Sequence, residues 1–597
     1  MAEWIFRSKG SAALGLIKSA FISKSHWSTF IMHLHRREEF DAIVVGSGMS
    51  GGYAAKELCE KGLKTLVLDR GVHFEHGSSF ITEHKRPFEL PRNGRVPVSE
   101  VEEHYATQGK VYLFSEATKR LFVKDDEQPY IQEKPYDWIR ANQVGGRSLM
   151  WARQTYRWSP MDFESNLRDG HGVDWPIRYN DIEPWYDYVE SFVGVSGQKE
   201  GLSQLPDGKF LPPMEMTAVE KHAKQAIESA FADRKMTIGR CAVLTRELNG
   251  RAPCHYCGEC ERGCSTRSFF SAVSVSLPAA AATGNLTIRP NSIVESIIYD
   301  PATNRAAGVR LIDALTHETQ EVFAKVVFMC ASTLGTTQIM LNSKSAAFPD
   351  GIANSSGVLG HYLGDHHMGV TASGFTEDFN DRYYAANRPN GIYIPRFRNL
   401  DARSARTDYV RGFAYQGSSW RLGPGRGAAQ AGIGPDFKNS LRQPGPWEMQ
   451  LWGYGETLPK FENHCRLSST EVDQWGIPQL ILSADWGDNE KAMRKDTAAC
   501  AGEMMEAAGF KNIQVTDDIE GNPHGLAIHE MGTARMGRDK RTSVLNGFNQ
   551  AHDIPNLFVT DGACMTSTAV QNPSITYMAL TARAVDYAVT EIQNGRI

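Results

Sequence analysis

The sequence predicts an α/β fold whose central unit is assembled from the two ends of the chain. Two observations predict it. Near the start, the apolar strand Phe40–Val45 runs into Gly46-Ser47-Gly48-Met49-Ser50-Gly51, then the helical run Tyr53–Lys61, a capping Gly62 and a second strand, Thr65–Leu68, that ends at Asp69. At the far end, the apolar strand Leu557–Thr560 leads into Asp561-Gly562-Ala563, and Asn572-Pro573-Ser574 opens a helical pattern over Ile575–Ile592. A β-α-β unit at one end, completed by a strand and helix at the other, makes a discontinuous domain.

Strand, G-x-G-x-x-G, helix, strand and acid, in that order, are the parts of a Rossmann-like dinucleotide-binding unit. Gly46 permits the tight turn, Gly48 lets the backbone approach a pyrophosphate, and Gly51 lets helix and strand pack closely. The N–H groups that open the helix, around Ser50, and its positive dipole end face the phosphates. Asp69 stands 23 residues after Gly46, where its carboxylate can accept hydrogen bonds from a ribose hydroxyl.

Composition sets the outer bounds. The chain has 597 residues, 41% hydrophobic and 22% charged, the balance of an ordinary globular protein. A length prior of roughly 150 residues per domain gives three or four domains. Lys plus Arg is 64 against 69 for Asp plus Glu, a net charge of −5, so no excess of positive charge is available to neutralise nucleic-acid phosphates. No apolar run approaches the roughly 20 residues of a transmembrane helix. Residues 1–38 carry Arg7, Lys9, Lys18, Lys24, Arg36 and Arg37 with Glu3 as the only acid before Glu38. Their apolar run is interrupted by Lys18, so no cleavable signal is expected. Trp27, Phe30, Ile31 and Leu34 share one helical face, able to pack on the protein itself, a partner subunit or a membrane surface peripherally.

Together with Val144-Gly145-Gly146-Arg147-Ser148, these segments resemble the glucose–methanol–choline (GMC) flavin oxidoreductases from about residue 39 to the C-terminus. The resemblance implies FAD, and a Rossmann-like FAD-binding domain interleaved with an α+β substrate domain on an antiparallel sheet. The expected division is a basic arm (1–38), FAD-binding segments 39–180, 215–345 and 524–597, a substrate-domain insertion 181–214 and the substrate-binding domain 346–523. Two interleaved domains and an arm thus replace the count from length. Gly145, Gly146, Ser148, Met150, Val294, Asp561 and Gly562 are expected to join Gly46, Gly48, Ser50, Gly51 and Asp69 around FAD. Family members with covalent FAD use a histidine just beyond the paired glycines. Met150 matches that position, and a thioether cannot make the linkage, so non-covalent FAD is expected.

Oxidising an alcohol requires a base for the hydroxyl proton as hydride leaves carbon, and histidine titrates near neutrality. His529-Glu530-Met531-Gly532-Thr533 resembles the family's H-x-x-G-T motif, whose histidine is that base, and Asn572 matches its second catalytic position. His524 and Gln416 are expected substrate contacts. His366 and His367, after Gly364-Asp365, read as structural.

Four of the ten cysteines, Cys254, Cys257, Cys260 and Cys264, form C-x₂-C-x₂-C-x₃-C. The spacing suits an iron–sulfur cluster. Within the family's sugar dehydrogenases, C-x₅-C-x₃-C holds a [3Fe–4S] cluster, and Cys254, Cys260 and Cys264 match it, with Cys257 spare. A [4Fe–4S] cluster on all four, a structural zinc, and a cluster-free loop like those of some family alcohol oxidases remain alternatives. A cluster would take electrons singly from reduced FAD and favour a dehydrogenase over an oxidase.

Trp151, Tyr156, Trp158, Tyr393, Tyr415, Gln416 and Trp420 give the middle of the chain an aromatic and amide character that suits a sugar. Segments 145–158, 173–190 and 528–546 are similar to the catalytic subunits of bacterial glucoside 3-dehydrogenases. That likeness implies oxidation at C3 of glucosides and disaccharides, a small partner subunit bearing the export signal, a cytochrome c acceptor and a periplasmic site, with the cytoplasm as alternative. An oxidase, a dehydrogenase acting at gluconate C2 or glucose C1, and a non-catalytic electron-transfer subunit are the competing readings.

Overall fold

The computed structural model describes residues 39–382 and 388–597. The basic arm and its Trp27–Leu34 face lie outside the described residues.

The seven-stranded sheet joins the two ends of the chain. Strand β1 (Glu39–Val45) runs parallel to β2 (Thr65–Leu68), with Ala42 opposite Thr65 and Val45 opposite Leu68. Leu286–Arg289 extends the sheet in parallel beyond β2, and Thr319–Met329 lies on the other side of β1. The C-terminal strand Leu557–Val559 adds in parallel to Thr319–Met329, with Val327 opposite Leu557. Parallel strands covered on both faces need unbroken apolar runs. Ile43, Val44, Leu66, Val67, Phe328 and Phe558 are all fully buried, and Phe328 stacks on Phe558 at 4.9 Å between ring centres. Helix α1 (Met49–Glu60) packs against the C-terminal helix Ser574–Gln593, which also packs against the helix Tyr179–Val193.

A second sheet is wholly antiparallel, in the order Lys511–Asp517, His367–Thr376, Trp447–Gly455, Phe413–Arg421, Ile392–Ile394 and Thr237–Ile238. Its last strand comes from within 215–345, so the substrate-side sheet draws on more than 346–523. Period-two alternation divides its faces. Trp447, Met449, Leu451 and Tyr415 turn into a core with Met493, Cys500 and Met504 of the helix Asp488–Ala507. Gln416 and Tyr454, each one residue out of phase, line a long cavity instead. Tyr156, Trp158, Tyr393 and Tyr415 are buried core residues. Tyr156 and Tyr393 stack on each other at 3.9 Å. Of the aromatics expected to suggest a sugar, Trp151 reaches the cavity. The others named here are accounted for by packing.

Gly51 shows how tightly the nucleotide turn is built, because a Cβ there would stand 1.9 Å from the Gly46 carbonyl oxygen. At Gly48 the nearest heavy atom to such a Cβ is 4.0 Å away. Gly51 is therefore required for packing and Gly48 for what approaches the turn. Gly51→Ala is expected to cost about 1–3 kcal/mol of stability, the usual range for overpacking. Gly48→Ala should leave the protein without ligand within about 1 kcal/mol of wild type by urea denaturation.

Candidate active site

The long cavity begins at the glycine turn and ends at the histidine motif. Gly46, Ser47, Gly48, Met49, Ser50, Asp69, Gly146, Ser148, Met150, Val294, Asp561 and Gly562 line it, as do His529, Asn572 and Gln416. Gly51 and Gly145 are not on its wall. Gly51 packs behind the turn, and Gly145, at φ +94°, makes the turn that presents Gly146 and Ser148. His524 is not brought to the cavity either. Its buried ring stacks on Trp486 at 3.5 Å.

At the nucleotide end, Asp69 ties the loops together. Its carboxylate accepts from the backbone N–H of Ser47 at 3.1 Å and of Gly71 at 2.8 Å, and also from the Ser47 hydroxyl. Burial pushes its pKa up while these donors pull it down. Ser47 Oγ accepts in turn from the Gly145 N–H at 2.8 Å. The two glycine loops are thus fastened to one another through Asp69, which still lines the cavity where a ribose would lie. The clear space beside Gly48, the start of α1 and the buried acid fit an adenine dinucleotide.

At the other end, three segments meet. His529 comes from the loop after Gly525, Asn572 from the residues that open the helix Ser574–Gln593, and Gln416 from the antiparallel sheet. His529 Nε2 lies 3.2 Å from Asn572 Nδ2, and Gln416 Nε2 donates to Asn572 Oδ1 at 2.7 Å. The other ring nitrogen of His529, Nδ1, lies 3.0 Å from Nδ1 of His366. Burial first, then the neighbouring His366 and Arg147, hold the His529 pKa well below the usual histidine value. His529 is thus neutral at physiological pH, as a proton acceptor must be.

Sequence reasoning missed several groups here. Arg147 Nη1 donates to both oxygens of Glu530, at 3.0 and 2.8 Å, and both residues line the cavity. Their positions inside the two motifs were a usable signal. His366, which reads as structural in the sequence, reaches His529. Tyr454, Arg153 and Gln154 also line the cavity, and no sequence motif marks them.

The cysteine loop adjoins this cavity through Arg153, whose guanidinium lies 4.0 Å from the Glu261 carboxylate of the loop. Cys254 and Cys264 pack beside Met214, Cys241, Val243 and Phe269, and burial pushes the Cys260 thiol up to about 12. All four cysteines carry free thiols. Among the described residues, no three His, Cys, Asp or Glu side chains are gathered as metal ligands. The four thiols of the loop lie near enough to one another to interact.

Family models described as GMC oxidoreductase match residues 40–368 and 459–581. The chain belongs to the GMC oxidoreductase family. Among its curated relatives, a 2-methyl-1,2-propanediol dehydrogenase of Mycolicibacterium austroafricanum is 28% identical, over 92% of this chain and 95% of that one. The fructose dehydrogenase large subunit of Gluconobacter japonicus is 26% identical, over 93% and 98%. Among solved structures, pyridoxine 4-oxidase from Mesorbium loti superposes with a TM-score of 0.57 at 15% identity, covering 92% of this chain and 99% of that chain, a likeness of fold. This GMC oxidoreductase therefore acts on alcohol or sugar CH–OH groups with FAD, the cofactor of the family. Met150, at the cavity wall, gives the isoalloxazine no histidine to bond at that position. Trichloroacetic acid precipitation is expected to leave all the FAD in the supernatant, and a yellow pellet would show a covalent link.

Proposed function

We propose that this protein is a sugar dehydrogenase that oxidises a secondary hydroxyl, at C3 of D-glucosides and disaccharides, and hands its electrons to an external acceptor. The observation that carries the reading is the facing pair, His529 Nε2 and Asn572 Nδ2, 3.2 Å apart on the wall of the dinucleotide cavity. A substrate hydroxyl that takes the place of the Asn572 N–H against His529 Nε2 would give its proton to that nitrogen. Asn572 Nδ2 would donate to the same oxygen and set the C–H bond in line. FAD, when bound, supplies the hydride acceptor. Burial keeps His529 neutral and ready to accept, while Gln416 fixes the Asn572 amide from behind.

Choice of a sugar is supported by the fructose dehydrogenase relative, and choice of C3 by the glucoside 3-dehydrogenase-like segments 145–158, 173–190 and 528–546. On the same reading FAD is held without a covalent bond, and a small partner subunit with a cytochrome c acceptor serves the enzyme in the periplasm. A [3Fe–4S] cluster on Cys254, Cys260 and Cys264 belongs to this reading through its C-x₅-C-x₃-C spacing and through the loop's position beside Arg153. Iron and acid-labile sulfide analysis with EPR tests the cluster, and iron-free protein that remains fully active with cytochrome c overturns it.

Anaerobic titration with a methyl glucoside should bleach the flavin absorbance and yield a 3-keto sugar by NMR. A keto group at another carbon overturns the regiochemistry, and rapid oxygen consumption with glucoside alone overturns the dehydrogenase assignment. His529→Ala should keep its FAD and lose on the order of 10²–10⁴-fold in turnover, the usual contribution of a general base. Burial lowers the His529 pKa, so the neutral form persists as pH falls. In a pH series, kcat/KM should stay level through the ordinary histidine range, about pH 6.5, and fall only below it. An acid limb centred in that range would mean that His529 is not the neutral base described.

A further inference from the structure

We propose that His366 is a positioning residue that fixes the tautomer of His529, protonated at Nδ1 and bare at Nε2. The inference rests on the reading of His529 as base, and it adds how that base is prepared before substrate arrives.

The direction of the hydrogen bonds follows from one group that can only accept. His366 Nε2 lies 3.0 Å from the Thr568 carbonyl oxygen, so this nitrogen carries a proton. The ring is buried, and burial brings its pKa down to about 4. It is therefore neutral near pH 7, and its Nδ1 is a bare acceptor. That Nδ1 faces His529 Nδ1 at 3.0 Å, with the rings at 75° to one another. Two facing ring nitrogens at this distance need one proton between them, and only His529 can supply it. His529 Nε2 is then left unprotonated, with its lone pair toward Asn572 Nδ2 on the cavity wall.

The opposite side of the site has the same polarity. Gln416 Nε2 donates to Asn572 Oδ1, which turns the donor nitrogen of Asn572 toward His529 Nε2. A donor there meets a bare nitrogen. The other tautomer would set two lone pairs against each other at the His366 contact and two N–H groups against each other at Asn572. The His366 contact excludes it. When His529 Nε2 takes the substrate proton, the resulting imidazolium keeps its Nδ1–H on His366, so the charged form has an acceptor in place. The opposite tautomer would present a proton where a base is needed, an error of the kind that costs several orders of magnitude in other histidine-dependent enzymes.

The test uses holoenzyme labelled with ¹⁵N-histidine. His529 is assigned by the signals lost in His529→Ala, and protonated and bare ring nitrogens are distinguished by their chemical shifts and by the presence of an N–H coupling. The expected result is Nδ1 protonated and Nε2 bare in the wild type. His366→Leu should lose roughly 10²-fold or more in kcat with KM and FAD content little changed. His366→Asn, whose Oδ1 can accept from His529 Nδ1, should recover most of that loss. A wild-type His529 protonated at Nε2, or a His366→Leu enzyme with wild-type kcat, overturns the proposal. If the leucine variant fails to fold, the wild-type spectrum alone decides. An active His529→Ala enzyme would instead defeat the reading of His529 as base, whatever its tautomer.

Discussion

One buried acid, Asp365, holds the reacting end of this molecule in place. Asp365 accepts from the backbone N–H of His366 at 2.8 Å, of Gly525 at 2.8 Å and of His529 at 3.2 Å. Burial and the nearby Glu530 push its pKa up to about 8 against these three donors. Such a group is tolerated in an interior only where donors satisfy it. The convergence ties the loop before the antiparallel strand His367–Thr376 to the loop that carries His529. Thr457 strengthens the junction, donating through Oγ1 to the Asp365 carbonyl oxygen at 2.8 Å while its N–H donates to Thr568 Oγ1 at 3.0 Å. Thr568 is also the residue whose carbonyl orients His366. The backbone positions of both histidines are therefore set by hydrogen bonds made below the cavity wall, before any substrate enters.

What the sequence made legible was local. The run from Phe40 to Asp69 could be read because each part of the turn lies within about one turn of its neighbour, and its dihedral demands fall on named glycines. The C-terminal strand and helix could be read from their apolar patterns, and the structure places them at Leu557–Val559 and Ser574–Gln593. His529 and Asn572 were legible because family motifs carry them. His366 was not, since its partner lies 163 residues away and a pair of histidines beside a glycine and an acid looks the same whether it faces a site or a core. The aromatic residues misled for the same reason. Period-two alternation says that neighbours on a strand face opposite ways, but not which face meets the cavity. Thus Gln416 lines the cavity while Tyr415 lies in the core. His524 offered five-residue proximity to His529, yet a bend in the chain carries its ring to Trp486. The cysteine run is legible only as a spacing, because a linear pattern does not fix how side chains converge.

The two ends of the cavity are kept at a fixed separation by helices rather than by loops. The glycine turn stands at the start of α1, and Asn572 stands just before the helix Ser574–Gln593. These two helices pack directly on one another, with Ala54, Ala55 and Leu58 in the same buried cluster as Ala584, Val585 and Ala588. Small side chains on both helices let their axes approach closely, and close-packed interiors transmit position with little slack. A shift of the C-terminal helix would therefore move Asn572 relative to the glycine turn, and through Asn572 the partner of His529. The same sheet that joins the N- and C-terminal segments, through Phe328 and Phe558, thus also sets the distance between the glycine turn and Asn572. Building the domain from the two ends of the chain has this consequence. The glycine turn and Asn572 are held by parts of one packed layer, and the antiparallel sheet brings Gln416 up to Asn572.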